Sequence, residues 1–159
     1  MTETTLCYLE KDGAYLMLHR IKKKNDINEG KWIGVGGKLE GRESPEEGAK
    51  REIFEETGLT AERLKLRAVI TFLSEQDDER MYLFTCDQFS GVLKECDEGV
   101  LEYIDKKKVY ELPSWEGDKI FLEKIADPEQ PFFSLLLEYE RDRLLRAELY
   151  EDGIFRKLL

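Results

Sequence analysis

The chain has 159 residues, of which 41% are apolar, and this is enough for one domain with a buried core. Its 25 basic and 35 acidic residues give a formal charge of −10, which argues against broad binding to nucleic-acid polymers and anionic membranes. The three cysteines lie far apart without a C-x-x-C pair, so neither a disulfide framework nor a thiolate zinc site is expected. No segment joins a basic region to a long apolar run, so we expect a soluble protein of the cytoplasm.

The first residues predict a β-hairpin. In TLCYLEKDGAYLMLHR, apolar and β-branched residues flank a turn signal at Asp12 and Gly13. The following segment, IKKKNDINEGKW, is polar and without periodicity, which predicts a loop carrying several positive charges. The residues WIGVGGKLE after it indicate short extended segments interrupted by glycines.

A helix is predicted over residues 45–57. Ser44 is a typical N-cap, Pro45 suits the first helical position, and Glu47 completes a capping box. Gly58 is a typical stop signal, because glycine adopts the left-handed conformation that ends many helices.

Further strands are predicted downstream of this helix. The segments 64–75 and 80–89 form a second hairpin, because apolar runs flank an acidic turn at residues 76–79. The segments GVLKE, at 91–95, and VLEYID, at 100–105, are predicted as shorter strands.

The last third of the chain predicts one helix and a further pair of strands. GDKIFLEKIADP is helical in pattern and ends at Pro128. The tail from Phe132 to Gly153 fits either a hairpin turning near Arg141 and Asp142 or a helix, and we favour the hairpin. With no repeat or linker, we expect a single domain over residues 1–159 with a mixed α/β layer structure.

Three carboxylates share one face of the predicted helix at 45–57. Glu52, Glu55 and Glu56 stand at positions i, i+3 and i+4. Like charges at this spacing repel one another unless a cation neutralises them. Three hard oxygen ligands suit Mg²⁺ or Mn²⁺, so the pattern indicates a site for a divalent cation.

The residues around these carboxylates form a longer pattern. Gly37 is followed after five residues by Glu43, and after seven more by Arg51-Glu52-Ile53; one residue then separates this from Glu55-Glu56, and another from Gly58-Leu59. This order resembles the complete Nudix box. The hairpin before it and the run GKWIGVGGK resemble the MutT-type branch of the Nudix hydrolases, and the similarity covers residues 4 to about 150.

The resemblance implies a fold and a set of metal ligands. The implied fold is an α/β/α sandwich with a mixed sheet, in which the box forms a loop, a helix and a loop. A Mg²⁺ ion, replaceable by Mn²⁺, would neutralise phosphate charge and activate water. Arg51 would orient the carboxylates by pairing with Glu43. The implied ligands are Glu55, Glu56, the carbonyl group of Gly37, and Glu52, which could instead serve as the base.

A further carboxylate often joins such sites from a distant loop. Glu98, in ECDEGVLEY, lies where the resemblance places it, and we predict that it is a metal ligand or the general base. Asp97 is the nearest alternative.

Four residues are predicted to bind the substrate. Arg20 ends a strand and Lys38 lies inside the box, where both could meet phosphate oxygens. The resemblance to MutT-like purine triphosphatases of the mammalian kind nominates Trp115 and Asp118 for the base, although a Trp beside a Pro turn is also a common core residue. Where several oxidised-guanine triphosphatases carry Asn, this chain has Ile33, so selectivity for 8-oxoguanine does not follow from the resemblance alone.

We therefore expect a Mg²⁺-dependent pyrophosphohydrolase of oxidised purine nucleoside triphosphates. Hydrolysis of 8-oxo-dGTP to 8-oxo-dGMP and pyrophosphate would serve nucleotide-pool sanitation and DNA repair. The alternatives are a pyrophosphatase of ADP-ribose or a nucleotide sugar, and a Nudix-fold regulator that binds nucleotides without hydrolysis. The expected partner is a small nucleotide, with neither a nucleic-acid polymer nor a membrane, and the protein is expected to be a monomer or a homodimer.

Overall fold

The computed structural model describes residues 1–159 as a ten-stranded mixed sheet with two helices. The strand order is β10-β9-β8-β5-β6-β1-β2-β3, while β4 pairs with β1 and β7 pairs with β2. The helices are α1 (Pro45–Thr57) and α2 (Asp118–Ile125), and neither is long and apolar enough to cross a bilayer. The strands are β1 (Thr2–Lys11), β2 (Ala14–His19), β3 (Trp32–Ile33), β4 (Val35–Lys38), β5 (Leu59–Leu73), β6 (Glu79–Gly91), β7 (Val100–Asp105), β8 (Phe133–Glu140), β9 (Arg143–Glu151) and β10 (Ile154–Lys157).

The two helices cover opposite faces of the sheet. Ala49 and Ile53 of α1 belong to one buried cluster, whereas Phe121, Leu122 and Ile125 of α2 belong to a second, larger one. The pairs β1/β6 and β5/β8 are parallel and the other strand pairs are antiparallel, which makes the sheet mixed. The expected α/β/α sandwich is therefore confirmed.

Helix α1 has the predicted boundaries. The Ser44 hydroxyl oxygen accepts a hydrogen bond from the Glu47 backbone N–H at 3.1 Å, which satisfies one of the free donors of the first turn. Gly58 follows the helix with φ of 80°, and its N–H donates to the Phe54 carbonyl. Because both end signals are local, the sequence was sufficient to place this helix.

Tight turns account for two of the hairpins. Asp12 and Gly13 have φ of 51° and 77°, so both lie in the left-handed region that the predicted turn between β1 and β2 requires. Asp152 and Gly153 repeat this geometry, with φ of 52° and 73°, between β9 and β10. Strand β10 was not predicted, and this second Asp-Gly pair is the signal that could have found it.

The C-terminal tail forms the favoured hairpin and not a helix. Strands β8 and β9 pair in antiparallel register from Phe133 opposite Glu151 to Glu140 opposite Arg143, and Arg141 turns with φ of 54°. Strand β5 begins at Leu59, directly after α1, and so starts five residues before the predicted segment at 64–75. Apolar alternation is weak over these first residues, which explains the late predicted start.

The prediction of a strand over GVLKE is wrong. Strand β6 ends at Gly91, and residues 92–98 leave the sheet. The Lys94 N–H donates to the Thr57 carbonyl at 2.9 Å, while Val92 is 84% exposed. The segment therefore crosses the C-terminal end of α1 and delivers Glu98 to the same side of the sheet as the helix carboxylates.

Neighbouring strands hold the segment before α2. The Trp32 N–H donates to the Pro113 carbonyl at 2.8 Å. The Gly117 N–H donates to the hydroxyl oxygen of Tyr139, also at 2.8 Å, and this hydrogen bond is buried. Strands β3 and β8 thus fix the position of Trp115 and of the first turn of α2.

Replacing Tyr139 with Phe should destabilise the protein by about 1–3 kcal/mol, because the buried Gly117 N–H loses its acceptor. Urea unfolding measures the difference. Tyr150→Phe is the matched control, since Tyr150 is 55% exposed on the adjacent strand and should change the free energy of unfolding by less than about 0.5 kcal/mol. Equal stabilities of the two variants would contradict the role of the Tyr139 hydroxyl group.

Candidate active site

Arg51 is the centre of the charge network on α1. Its Nη2 and Nε donate to the two carboxylate oxygens of Glu43 at 2.7 and 3.1 Å, and its Nη1 donates to Glu52 at 2.8 Å and to Glu55 at 3.1 Å. Its Nη2 also donates to the Lys38 carbonyl at 3.0 Å. Hydrogen bonding to Arg51 lowers the pKa of Glu43, and hydrogen bonding to Glu43 raises the pKa of Arg51. One guanidinium group therefore orients three carboxylates.

Glu56 lies buried on the inner side of α1. Its Oε1 accepts a hydrogen bond from the Gly36 N–H at 2.9 Å, whereas its buried Oε2 has no partner. Burial is the main cause that raises the pKa of Glu56, and the neighbouring Glu98 raises it further. Two facing carboxylates have only acceptor atoms, so the pair requires either a shared proton or a cation.

Glu52 lies beside the backbone of β4. Burial raises the pKa of Glu52, and the hydrogen bond from Arg51 opposes part of this effect. A Cβ atom on Gly37 would lie 2.6–2.8 Å from the Glu52 carboxyl group, so a side chain at position 37 would displace that group. The Glu52 carboxyl group therefore occupies the space beside Gly37 that a side chain would fill.

These residues fit a divalent cation, although the side chains do not already form a coordination shell. Arg51 holds Glu52 and Glu55, and no three acidic side chains converge on one point. The unpartnered Oε2 of Glu56 and the raised pKa values of Glu52 and Glu56 indicate that the surrounding residues do not offset the cost of ionising these buried groups. Carboxylate and carbonyl oxygens are the donors that Mg²⁺ and Mn²⁺ prefer.

Arg20 holds the loop that carries Glu98. Its Nη1 donates to Glu98 Oε2 and its Nε donates to Asp26 Oδ2, each at 2.7 Å. The side chains of Arg20 and Asp26 are 10% and 8% exposed, so their ion pair is shielded from water, whereas the Glu98 side chain is 34% exposed. The guanidinium group predicted to meet phosphate is thus already bound to two carboxylates, and its direct effect here is to position Glu98. Asp97, the alternative to Glu98, points to solvent.

A single cleft of about 580 Å³ joins the box to the segment before α2. Seven of the predicted site residues line this cleft, which we call the substrate cleft: Arg20, Gly37, Lys38, Glu52, Glu98, Trp115 and Asp118. The other four, Glu43, Arg51, Glu55 and Glu56, lie behind or beside it on α1 and its preceding loop.

Trp115 belongs both to the core and to the wall of the substrate cleft. It is 5% exposed and packs edge-on against Phe72 and Tyr139, with ring centroids 5.0 and 4.8 Å apart. Lys31 Nζ lies 4.4 Å from its ring centroid, and its Nε1–H donates to Asn28 Oδ1 at 2.7 Å. Trp115 is therefore a core residue that also lines the substrate cleft, and its contact with a base stays a prediction.

Asp118 is a buried acid at the same end of the substrate cleft. It is 5% exposed, and burial raises its pKa to about 8, with Lys31 acting in the opposite direction. Its carboxyl group is therefore largely protonated at neutral pH, which makes it both a donor and an acceptor. Ile33 also lines the substrate cleft and contributes apolar surface.

Sequence reasoning missed several residues that line the substrate cleft. Phe72 and Met81 come from β5 and β6, where alternation predicts only that they face a core. Asp26 and Asn28 come from the polar loop between β2 and β3, and nothing in the loop's composition distinguishes them from their solvated neighbours.

Comparison with known proteins identifies the family of this chain. The model of the NUDIX domain matches residues 3–125. The chain is 31% identical over 124 residues to an uncharacterized Nudix hydrolase of Bacillus subtilis, YvcI, with 74% of this chain and 75% of that protein covered. It is 32% identical over 135 residues to an oxidized purine nucleoside triphosphate hydrolase of Mus musculus, with 84% and 86% covered.

Solved structures show the same similarity. The crystal structure of a mutator MutT protein from Bacillus halodurans has a TM-score of 0.82 and 27% sequence identity, with 94% of this chain and 97% of that chain covered. Nudix hydrolases cleave diphosphate linkages in small nucleotide substrates and generally use divalent cations. From the box geometry, the sandwich fold and the matched domain, this chain is a member of the Nudix hydrolase family.

Proposed function

We propose that this protein is a Mg²⁺-dependent pyrophosphohydrolase of oxidised purine nucleoside triphosphates, with 8-oxo-dGTP as the leading substrate. The observation that carries the proposal is the substrate cleft, which joins the carboxylates of the box to an apolar end with one aromatic wall and one neutral acid. The similarity to a hydrolase of oxidised purine triphosphates supports the same substrate class. The products would be the nucleoside monophosphate and pyrophosphate.

The box residues would hold the cation and prepare the water. The donor set is Glu52, Glu55, Glu56 and the Gly37 carbonyl, joined by Glu98. A bound Mg²⁺ supplies charge neutralisation at the phosphates and makes a bound water more acidic. Glu52 and Glu98 are the cleft carboxylates able to take the proton of the attacking water, and burial brings the pKa of Glu52 closer to neutral pH.

Lysines at the margin of the substrate cleft suit a polyphosphate. Lys23 and Lys38 line it in a protein whose net charge is −10, so they provide local attraction where the protein as a whole repels anions. Arg20 would contribute through Glu98, because its guanidinium group is bound to that carboxylate and to Asp26.

The apolar end of the substrate cleft suits a purine base. Trp115, Phe72, Met81 and Ile33 offer flat or apolar surface, and Asp118 offers a hydrogen-bonding group that is neutral at physiological pH. We assign the whole reaction to one domain, since β1 and β9, from opposite ends of the chain, belong to one sheet. In the cytoplasm, this activity would sanitise the nucleotide pool and thereby assist DNA repair.

The first test is release of pyrophosphate and monophosphate from 8-oxo-dGTP, dGTP and ADP-ribose, each with Mg²⁺ and with EDTA. We expect Mg²⁺-dependent turnover with the highest kcat/KM for 8-oxo-dGTP, and no turnover in EDTA. Preference for ADP-ribose would replace the proposed substrate class. Binding without turnover of any of the three would remove the proposed reaction.

Replacing Glu55 or Glu56 with Gln should reduce kcat by a factor on the order of 100 or more, because each change removes a charged metal ligand. Glu46→Gln makes the same change in charge at an exposed position in the first turn of α1 and should retain turnover. Circular dichroism would verify that all three variants are folded. Full activity of the Glu55 or Glu56 variant would exclude that residue from the donor set.

Asp118 should make the stability of the protein depend on pH. In the unfolded chain this carboxyl group loses its proton near pH 3.8, whereas in the folded protein its pKa is about 8. The folded state binds the extra proton between these values, so stability falls as pH rises from 4 to 8. Asp118→Asn should remove this loss, which is on the order of 5 kcal/mol at pH 8.

Urea unfolding at pH 4, 6 and 8 measures this effect. The Asp118→Asn variant should gain stability over the wild type as pH rises, while its kcat/KM for purine substrates falls. Asp97→Asn is the control, because Asp97 is exposed and its replacement should leave the pH dependence of the wild type unchanged. Parallel curves for the wild type and Asp118→Asn would show that the carboxyl group is ionised in the folded protein.

A further inference from the structure

The amide group of Asn28 is held in one orientation. The Trp115 indole N–H donates to Asn28 Oδ1 at 2.7 Å. An indole nitrogen is only a donor, so the oxygen and not the nitrogen of the Asn28 amide must face it. Asn28 Nδ2 makes no hydrogen bond within the chain, and its two N–H groups therefore remain available.

These free N–H groups lie at the apolar end of the substrate cleft, which is the end proposed above to bind the purine base. Asn28 is partly buried and lines the cleft together with Trp115, Ile33 and Asp118. Ile33 has no hydrogen-bonding atom in its side chain, so it cannot read a base edge. Asn28 comes from the loop between β2 and β3, and its hydrogen bond to Trp115 joins residues 87 positions apart.

We propose that Asn28 determines base specificity by donating a hydrogen bond to the oxygen at C6 of a 6-oxopurine. An oxygen at C6 is an acceptor, whereas the amino group at C6 of adenine is a donor, which would face the Asn28 N–H groups with no acceptor between them. The C6 oxygen is the same whether or not C8 is oxidised, so Asn28 selects the guanine class and not oxidation itself. This inference rests on the proposed purine nucleotide substrate.

The orientation of the Asn28 amide is what separates this role from a structural one. A structural role needs only Oδ1 as the acceptor for Trp115, and an Asp at position 28 supplies the same acceptor in the same shape. Recognition of the C6 oxygen needs the N–H groups, which Asp lacks. Selectivity between purines therefore responds to Asn28→Asp, and stability does not.

The test is binding of GMP and AMP by calorimetry, together with kcat/KM for dGTP and dATP. In the wild type we expect tighter binding of GMP than of AMP. Asn28→Asp should reduce the GMP-to-AMP affinity ratio by about tenfold or more, because a carboxylate accepts from the adenine amino group and repels the guanine oxygen. The kcat/KM ratio should fall in parallel, with the melting temperature preserved.

Two further variants control for charge and for packing. Asn25→Asp adds the same charge at an exposed position of the same loop outside the substrate cleft, and it should leave the ratio unchanged. Trp115→Phe retains an aromatic ring but removes the donor that orients the Asn28 amide, so the amide can rotate to present its oxygen. This neutral change should also reduce the GMP-to-AMP ratio.

An unchanged ratio in Asn28→Asp, or equal binding of GMP and AMP by the wild type, would overturn the role of Asn28. Failure of the proposed function is a separate result, since it would appear as absent turnover of triphosphates while the monophosphate affinities are measured independently. A fall in the ratio for Asn25→Asp equal to that for Asn28→Asp would attribute the effect to charge alone and would also overturn the inference.

Discussion

The site depends on compensation of negative charge along α1. Arg51 binds the carboxylates of Glu43, Glu52 and Glu55, and it is the cation that allows them to crowd one side of the helix. Glu56 lies beyond its reach, with one oxygen on the Gly36 N–H and the other without a partner. Ionisation of Glu56 beside Glu98 would therefore require a further cation, and a divalent ion would supply it.

The fold supports this charge network with unusually close packing. Gly36 and Gly37 of β4 lie so close to β1 and to the Glu52 carboxyl group that a side chain at either position would overlap its neighbour. On the other side, residues 92–98 cross the end of α1, and Arg20 holds Glu98 by an ion pair. The acidic groups are thus positioned by three separate parts of the chain.

A buried acid at the apolar end of the substrate cleft lowers the stability of the protein. Asp118 is buried, and burial raises its pKa to about 8 because the opposing effect of Lys31 is the smaller of the two. Such a group reduces stability at neutral pH but provides a neutral donor in an apolar pocket. The hydrogen bond from the Gly117 N–H to Tyr139 and the packing of Trp115 on Tyr139 stabilise the surrounding segment and offset part of this destabilisation.

Elements whose signals are local could be predicted without the structure. Helix α1, its caps at Ser44 and Gly58, and the Asp12–Gly13 turn all depend on residues within a few positions of one another, and each was predicted correctly. Residues 91–95 were predicted as a separate strand because their apolar pattern is local too, yet the Lys94 N–H donates to the Thr57 carbonyl at the end of α1 instead. The pairing of Arg20 with Glu98, 78 positions away, and of Asn28 with Trp115, 87 positions away, depends on how the chain folds, because polar loop residues carry no periodic pattern that reveals a distant partner.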